Sequence, residues 1–290
     1  MCRLFAMSGG REPVHATFWL LEAPDSLSEQ SHREPDGTGL GYYDGDGQPV
    51  VSKQAAAAFK DREFAREAKE VDSRTFVAHV RYASTGGLSE RNTHPFEQDG
   101  RLFAHNGVVE NLPALEAELG DAMELVTGDT DSERLFALVT REIRRTGDVG
   151  EGITAAARWV AANLPVFAIN LVLIDADELW ALRYPDSHDL LVLERDAGGP
   201  SGDRHLHHRS PHGRIRVHSG DLADQRAVVV ATERMDDDPA WTPLGSGELL
   251  RVDGALGVTR RQVLDAPPAH PLTLQDLGIK AAASQGAESH

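Results

Sequence analysis

A mixed α and β fold with sheets covered on both faces is what this sequence predicts, and three observations carry the prediction. Short runs rich in β-branched and aromatic residues alternate with longer runs of helical period, rather than with more of their own kind as in a bundle or solenoid. Many of the short runs are continuously apolar, as strands buried on both faces are. No internal repeat is present, and 290 residues can bury a full core without disulfide staples.

The elements follow in order. The first strand is read over 2–8, CRLFAMS, and a helix over 14–23, VHATFWLLEA, from apolar residues at roughly 3.6-residue spacing. Strands over 38–44 and 48–53 come next, followed by a helix over 55–71 with the same kind of apolar face. Strand 74–83, RTFVAHVRYA, is strongly apolar, and so is 101–106, RLFAHN, which ends at Asn-Gly, the commonest hairpin turn. Helix 112–119 lies between Asn111 and Gly120 as start and stop signals, and helices over 131–146 and 152–164 complete the helical part. Strands over 165–175, 178–184, 189–194, 214–219, 227–233 and 248–253 fill out the sheets. Glycine and polar residues mark 196–204 as a surface turn, and weak periodicity marks 266–290 as a mobile tail behind one domain, 2–265.

Composition narrows the function classes. A formal charge of -17 and the absence of a basic patch exclude a nucleic-acid partner. No apolar run reaches membrane-spanning length, so no membrane partner is expected. The single cysteine, and an opening with no charged start ahead of an apolar block, predict a reducing, cytoplasmic location. In HLHHRSPH, His205, His207, His208 and His212 lack the cysteine or acidic cluster of a metal set, and are expected in a polar loop and strand edge. Neither a metal nor an organic cofactor is expected.

Four segments could carry chemistry. Cys2 follows Met1, and a residue this small predicts removal of that methionine, leaving a thiol and a free α-amine on one residue. Reference pKa values of about 8.5 and about 7.7–8.0 allow proton exchange between them near neutral pH. Taken alone, Cys2 reads as a small buried strand residue. The strand FVAHVRYASTGG delivers His79, Arg81 and Ser84 into a glycine-containing loop, and Arg81 needs a bidentate carboxylate, internal or from a ligand. In LFAHNGVVEN, Asn-Gly is either a plain hairpin turn or a turn presenting the Asn106 amide and the Gly107 N–H to a developing oxyanion. In TGDTDSERLFALV, Asp131 is either a cap or a partner for an ammonium group, and it can bind while Thr130 or Asp129 caps.

Cys2, HVRYAST, NTHPF, HNG and TDSE occur in the order and approximate spacing of the class II glutamine amidotransferases, whose glutaminase domain belongs to the N-terminal nucleophile hydrolases. The chain resembles that family from residue 2 to about residue 140, and VVVATERMDDDPAWTPLGSGELLRV resembles the closing segment of its stand-alone members. QSHREPDGTGLGYYD is similar to a glycine-rich stretch of those members, which include γ-glutamyl hydrolases of ergothioneine biosynthesis. Tyr82 and Thr85 stand where the sugar-amidating relatives carry tryptophan and histidine.

The resemblance implies an α+β fold, a four-layer αββα sandwich, with a glutamine amidotransferase type 2 domain over 2–265. It implies Cys2 as nucleophile with its freed amine as base, and Asn106 and Gly107 as oxyanion hole. Arg81 would bind an α-carboxylate, Asp131 an α-ammonium, and Ser84 and His94 would line the pocket. The implied reaction is hydrolysis of the γ-amide of glutamine or a γ-glutamyl amide. Two alternatives stand beside it: a glutaminase subunit feeding ammonia to a separate synthase, and a non-catalytic glutamine-binding regulator.

Overall fold

Period-two alternation decides how the first strand is used. In Arg3–Ser8, Leu4 and Ala6 face one way and Phe5 and Met7 the other, and both sets are buried, so each face needs a covering layer. A computed structural model supplies those layers; it describes residues 2–33, 36–81, 89–198, 206–209, 216–219 and 225–285.

Two seven-stranded sheets stack face to face. The first runs, in spatial order, Thr242–Pro243, Leu191–Arg195, Ala227–Ala231, Arg3–Ser8, Thr75–Arg81, Gly37–Tyr43 and Pro49–Gln54. The second runs Val258–Gln262, Glu248–Val252, Leu179–Arg183, Pro165–Ile174, Arg101–Val109 and Phe96–Gln98, with His270–Pro271 added in parallel beside Pro165–Val166. Leu4, Ala6 and Val77 of the first sheet meet Leu102, Ala104 and Val172 of the second in one inter-sheet core. Phe136 and Leu138 of helix Asp131–Thr146, with Ile153 and Val160 of helix Val149–Asn163, cover Phe103 and Leu171 on the outside of the second sheet. Trp19, Leu20 and Phe64 cover Phe5, Met7 and Phe76 on the outside of the first. The result is a four-layer αββα sandwich. Each large side chain in these cores contributes roughly 1.5–3 kcal/mol by burial.

Helix Asp131–Thr146 has the bounds that its periodicity predicts, while other elements differ for local reasons. The helix expected over 14–23 is a short strand, Val14–His15, and one π-helical turn, Phe18–Glu22, a wide turn that buries Phe18, Trp19 and Leu20 together. The helix expected over 55–71 is interrupted because Asp61 accepts from the N–H groups of Glu63 (2.9 Å) and Phe64 (3.1 Å) and so starts a new helix, Arg62–Glu70. Val258–Gln262 has no apolar periodicity because it is a largely exposed edge strand. The stretch read as a tail carries structure through Gln285, with Leu277 buried against Val108, Phe167 and Ala168 and a helix over Ile279–Gln285. Single anchors such as Leu277 leave no periodic trace. Tyr82, Ser84, Thr85, His205 and His212 lie outside the described residues. Among the described residues no helix is long and apolar enough to cross a membrane.

Candidate active site

Register brings the expected residues to one end of the sandwich. Arg3 pairs with Val80 and Gly37 with Arg81, so the start of the first strand and the end of Thr75–Arg81 lie side by side. Val77, His79 and Arg81 alternate toward the second sheet, and Val77 belongs to the inter-sheet core. From that second sheet Asn106 Nδ2 donates to the Cys2 carbonyl at 2.9 Å, a buried contact between residues 104 apart. An amide nitrogen carries two hydrogens, so this bond pins the side chain and leaves one N–H for another acceptor.

Asn106 and Gly107 do not form a turn. The strand Arg101–Val109 runs straight through them, because Val108 and Val109 continue its buried pattern and Pro165–Ile174 pairs along its length. Gly107 answers a different demand: a Cβ there would sit 1.9 Å from the Ala168 carbonyl oxygen of the neighbouring strand. The glycine serves close backbone approach, not turn geometry.

Asp131 is the first residue of its helix, and the cap is Thr130, whose Oγ1 accepts from the Glu133 N–H at 3.2 Å. Asp131 Oδ2 accepts from the Val109 N–H at 3.0 Å, which ties the helix start to the strand that carries Asn106. Glu133 braces the preceding loop by accepting from Thr127 N–H (3.0 Å) and Gly128 N–H (2.6 Å). Asn92 Oδ1 accepts from Asp129 N–H at 2.9 Å, joining NTHPF to the residue just before TDSE. Arg81 is buried, and burial draws its guanidinium below the ordinary arginine range, opposed by the charges of Cys2, Asp36 and Asp131. Cys2, Arg81 and Asn106 thus lie together at this end of the two sheets, with Asp131 within electrostatic reach of Arg81 from the start of its helix.

His94 lies deeper. Its ring is 4.2 Å from that of His79 and 4.7 Å from that of Phe96, and among the described residues no ring nitrogen of either histidine has a hydrogen-bond partner. Burial, with nearby Arg81, holds His79 neutral and pushes its pKa down to about 3; His94 is likewise held well below 6.5. His105 faces the helical side, where Nε2 donates to the Ala168 carbonyl (3.2 Å) and Nδ1 accepts from the Ser132 hydroxyl (2.9 Å). A histidine whose folded pKa is depressed contributes stability above its unfolded value near 6.5 and loses it as pH falls toward the folded value. Acid titration from pH 6.5 to 4 is therefore expected to remove on the order of 3 kcal/mol through His79 alone. Urea unfolding across that window should show a flatter pH slope for His79→Gln, and equal slopes would refute the assignment.

Sequence reasoning did not single out Asn92, Asp36 or Asn170 at this end of the molecule. The pattern Thr130-x-x-Glu133 is a capping-box signal and was legible; the others become neighbours only through sheet register. The cleft lined by Arg11, Arg74, Asp177 and Asp253 adjoins the start, not the end, of Thr75–Arg81, and its Arg74–Asp177 ion pair at 2.7 Å is self-neutralised. Among the described residues no three His, Cys, Asp or Glu side chains are grouped to hold a metal ion.

The family model described as glutamine amidotransferases class-II matches residues 1–271. A probable glutamine amidotransferase of Saccharomyces cerevisiae is 30% identical over 168 residues, 51% of this chain and 47% of that protein. A glutamine–fructose-6-phosphate aminotransferase of Pseudomonas syringae is 26% identical over 160 residues, 55% of this chain and 26% of that protein. The match therefore spans about half of the first relative and about a quarter of the second. Among solved structures, glutamine phosphoribosylpyrophosphate amidotransferase from B. subtilis superposes with a TM-score of 0.63 at 19% identity, covering 92% of this chain and 50% of that one. A glutamine aminotransferase class-II domain protein from Silicibacter pomeroyi gives a TM-score of 0.59 at 20% identity, covering 90% and 99%.

Proposed function

The chain belongs to the class II glutamine amidotransferases, and on that premise we propose that it hydrolyses the γ-amide of glutamine or of a γ-glutamyl amide through a Cys2 thioester. The observation that supports this most directly is the bond from Asn106 Nδ2 to the Cys2 carbonyl, which sets an amide donor beside the nucleophile with one hydrogen to spare.

With Met1 removed, the Cys2 α-amine takes the thiol proton and the thiolate attacks the γ-carbon, forming the S–C bond and turning the carbonyl into an oxyanion. The remaining Asn106 N–H and the Gly107 N–H would receive that oxyanion. Collapse expels ammonia or an amine, which leaves with the proton held by the α-ammonium. Water, deprotonated by the same amine, then attacks the thioester, and a second oxyanion collapses to release glutamate and restore the thiol. Arg81 would hold the substrate α-carboxylate and Asp131 its α-ammonium, with Ser84 and His94 as further lining. Both charged groups are buried, so each of these ion pairs would form away from bulk water.

The test pairs two measurements on purified protein. Intact-mass analysis should show the N-terminus at Cys2, and incubation with glutamine and a panel of γ-glutamyl amides should release glutamate. Active protein that retains Met1 would rule out the terminal-amine base, and silence across the panel from a processed chain would leave a non-catalytic glutamine-binding protein. A second reading, transfer of ammonia to a separate synthase, draws on the match to an aminotransferase over only 26% of its length. Glutamine hydrolysis that rises only with a co-purifying synthase would favour it.

A further inference from the structure

The C-terminal segment stands behind both oxyanion-hole candidates. Asn170 lies directly opposite Asn106 in the pairing of Arg101–Val109 with Pro165–Ile174. Directly opposed residues in an antiparallel pair share a face, with Cβ atoms about 4.5–5.5 Å apart. The Asn170 amide is fully committed: Nδ2 donates to the carbonyls of His188 and Asp189, each at 3.3 Å, and Oδ1 accepts from the Tyr184 N–H at 3.1 Å. Wholly buried and held by three bonds, it is a fixed side chain directly opposite Asn106 on the same sheet face.

The loop that holds Asn170 is itself tethered. His188 Nε2 donates at 2.8 Å to Oε1 of Gln285, the last residue of helix Ile279–Gln285, and the His188 ring sits edge-on to Phe167 with centroids 5.0 Å apart. Gln285 is 1% exposed, unlike a residue on a frayed end. Burial holds the His188 imidazole neutral, with its pKa pushed down to about 4, so Nε2 remains a neutral donor at working pH. On the Gly107 side, the Ala168 carbonyl that excludes a Cβ at Gly107 belongs to a residue of the cluster Val108, Phe167, Ala168 and Leu277, onto which Ala281 and Ala282 pack.

We propose that His188 and Gln285 are positioning residues: the C-terminal helix holds the 184–189 loop through the Gln285–His188 bond, the loop holds Asn170, and Asn170 confines the Asn106 amide with its second N–H toward the reacting carbonyl. This inference rests on the amidohydrolase reading above and deepens it by making part of the oxyanion hole depend on a residue nearly 180 positions downstream of Asn106, Gln285.

Gln285→Ala tests it in the full chain. The kcat for glutamine hydrolysis should fall roughly tenfold with KM within about twofold, short of the roughly 100- to 1,000-fold cost of losing a donor outright. Inhibition by the γ-aldehyde analogue of glutamine, whose tetrahedral adduct with the thiol places its oxygen in the oxyanion hole, should weaken by the same factor. Inhibition by glutamate, which also reads the Arg81 and Asp131 end, should not change. Gln285→Glu keeps an acceptor for His188 Nε2–H and should restore most of kcat. A Gln285→Ala protein with wild-type kcat and aldehyde inhibition, one with raised kcat, or one that loses aldehyde and glutamate affinity equally overturns the inference. In all three outcomes the parent chain still hydrolyses glutamine, whereas a parent chain that releases no glutamate overturns the amidohydrolase reading itself.

Discussion

Cys2→Ala is expected to lower glutamate release on the order of 10⁴-fold or more while leaving glutamine binding intact. The two effects separate because different groups carry them. On the proposed reading the thiol alone forms the S–C bond, whereas affinity would come from a head group held by Arg81 and Asp131, neither of which the substitution replaces. Losing one sulfur from a buried position leaves the Asn106 bond in place, since that bond ends on the Cys2 backbone carbonyl and not on its side chain. Calorimetric titration of glutamine into the variant should therefore give a binding isotherm close to that of the parent under non-turnover conditions. Activity within about tenfold of the parent would show that another group is the nucleophile.

Asn106→Ala and Asn106→Asp are expected to lower kcat by roughly 100- to 1,000-fold with little change in KM. The oxyanion exists only after attack, so a donor aimed at it stabilises the transition state and not the bound substrate. Alanine removes both N–H groups and the bond to Cys2, at a cost to stability of about 1 kcal/mol for a neutral hydrogen bond. Aspartate keeps the shape and loses the donors, while setting a carboxylate against the Cys2 carbonyl. Equal losses from the two variants point to the donors; a loss confined to alanine points to packing. A drop of less than about tenfold in both would remove Asn106 from the reaction.

The elements were legible in proportion to how locally they are determined. Helix Asp131–Thr146 could be read to the residue, because an amphipathic face and a Thr130 cap are contained within five or so positions of each other. Helix Leu112–Leu119 was bounded in the same way by Asn111 and Gly120. Asn106-Gly107 misled for the converse reason. The dipeptide is a turn signal when neighbours do not contradict it, and here the contradiction comes from Ala168, sixty residues along the chain and one strand away. The tail misled similarly, since Leu277 and Gln285 dock onto partners far away in sequence, among them Phe167 and His188.

By itself the sequence determined the alternation of helices and strands, the candidate nucleophile and the residue types for an amino-acid head group, all of which are local or compositional. The tertiary structure decided which of those residues meet. The Asn106 amide reaches Cys2 across 104 positions, and Leu4 N–H reaches the Thr232 hydroxyl across 228. It also decided that His79 and His94 are buried as neutral neighbours and that Asn170, His188 and Gln285 stand behind the site. The physical reason is range: propensity and periodicity act over a few residues, while sheet register and the packing of one sheet on another join positions at any distance along the chain.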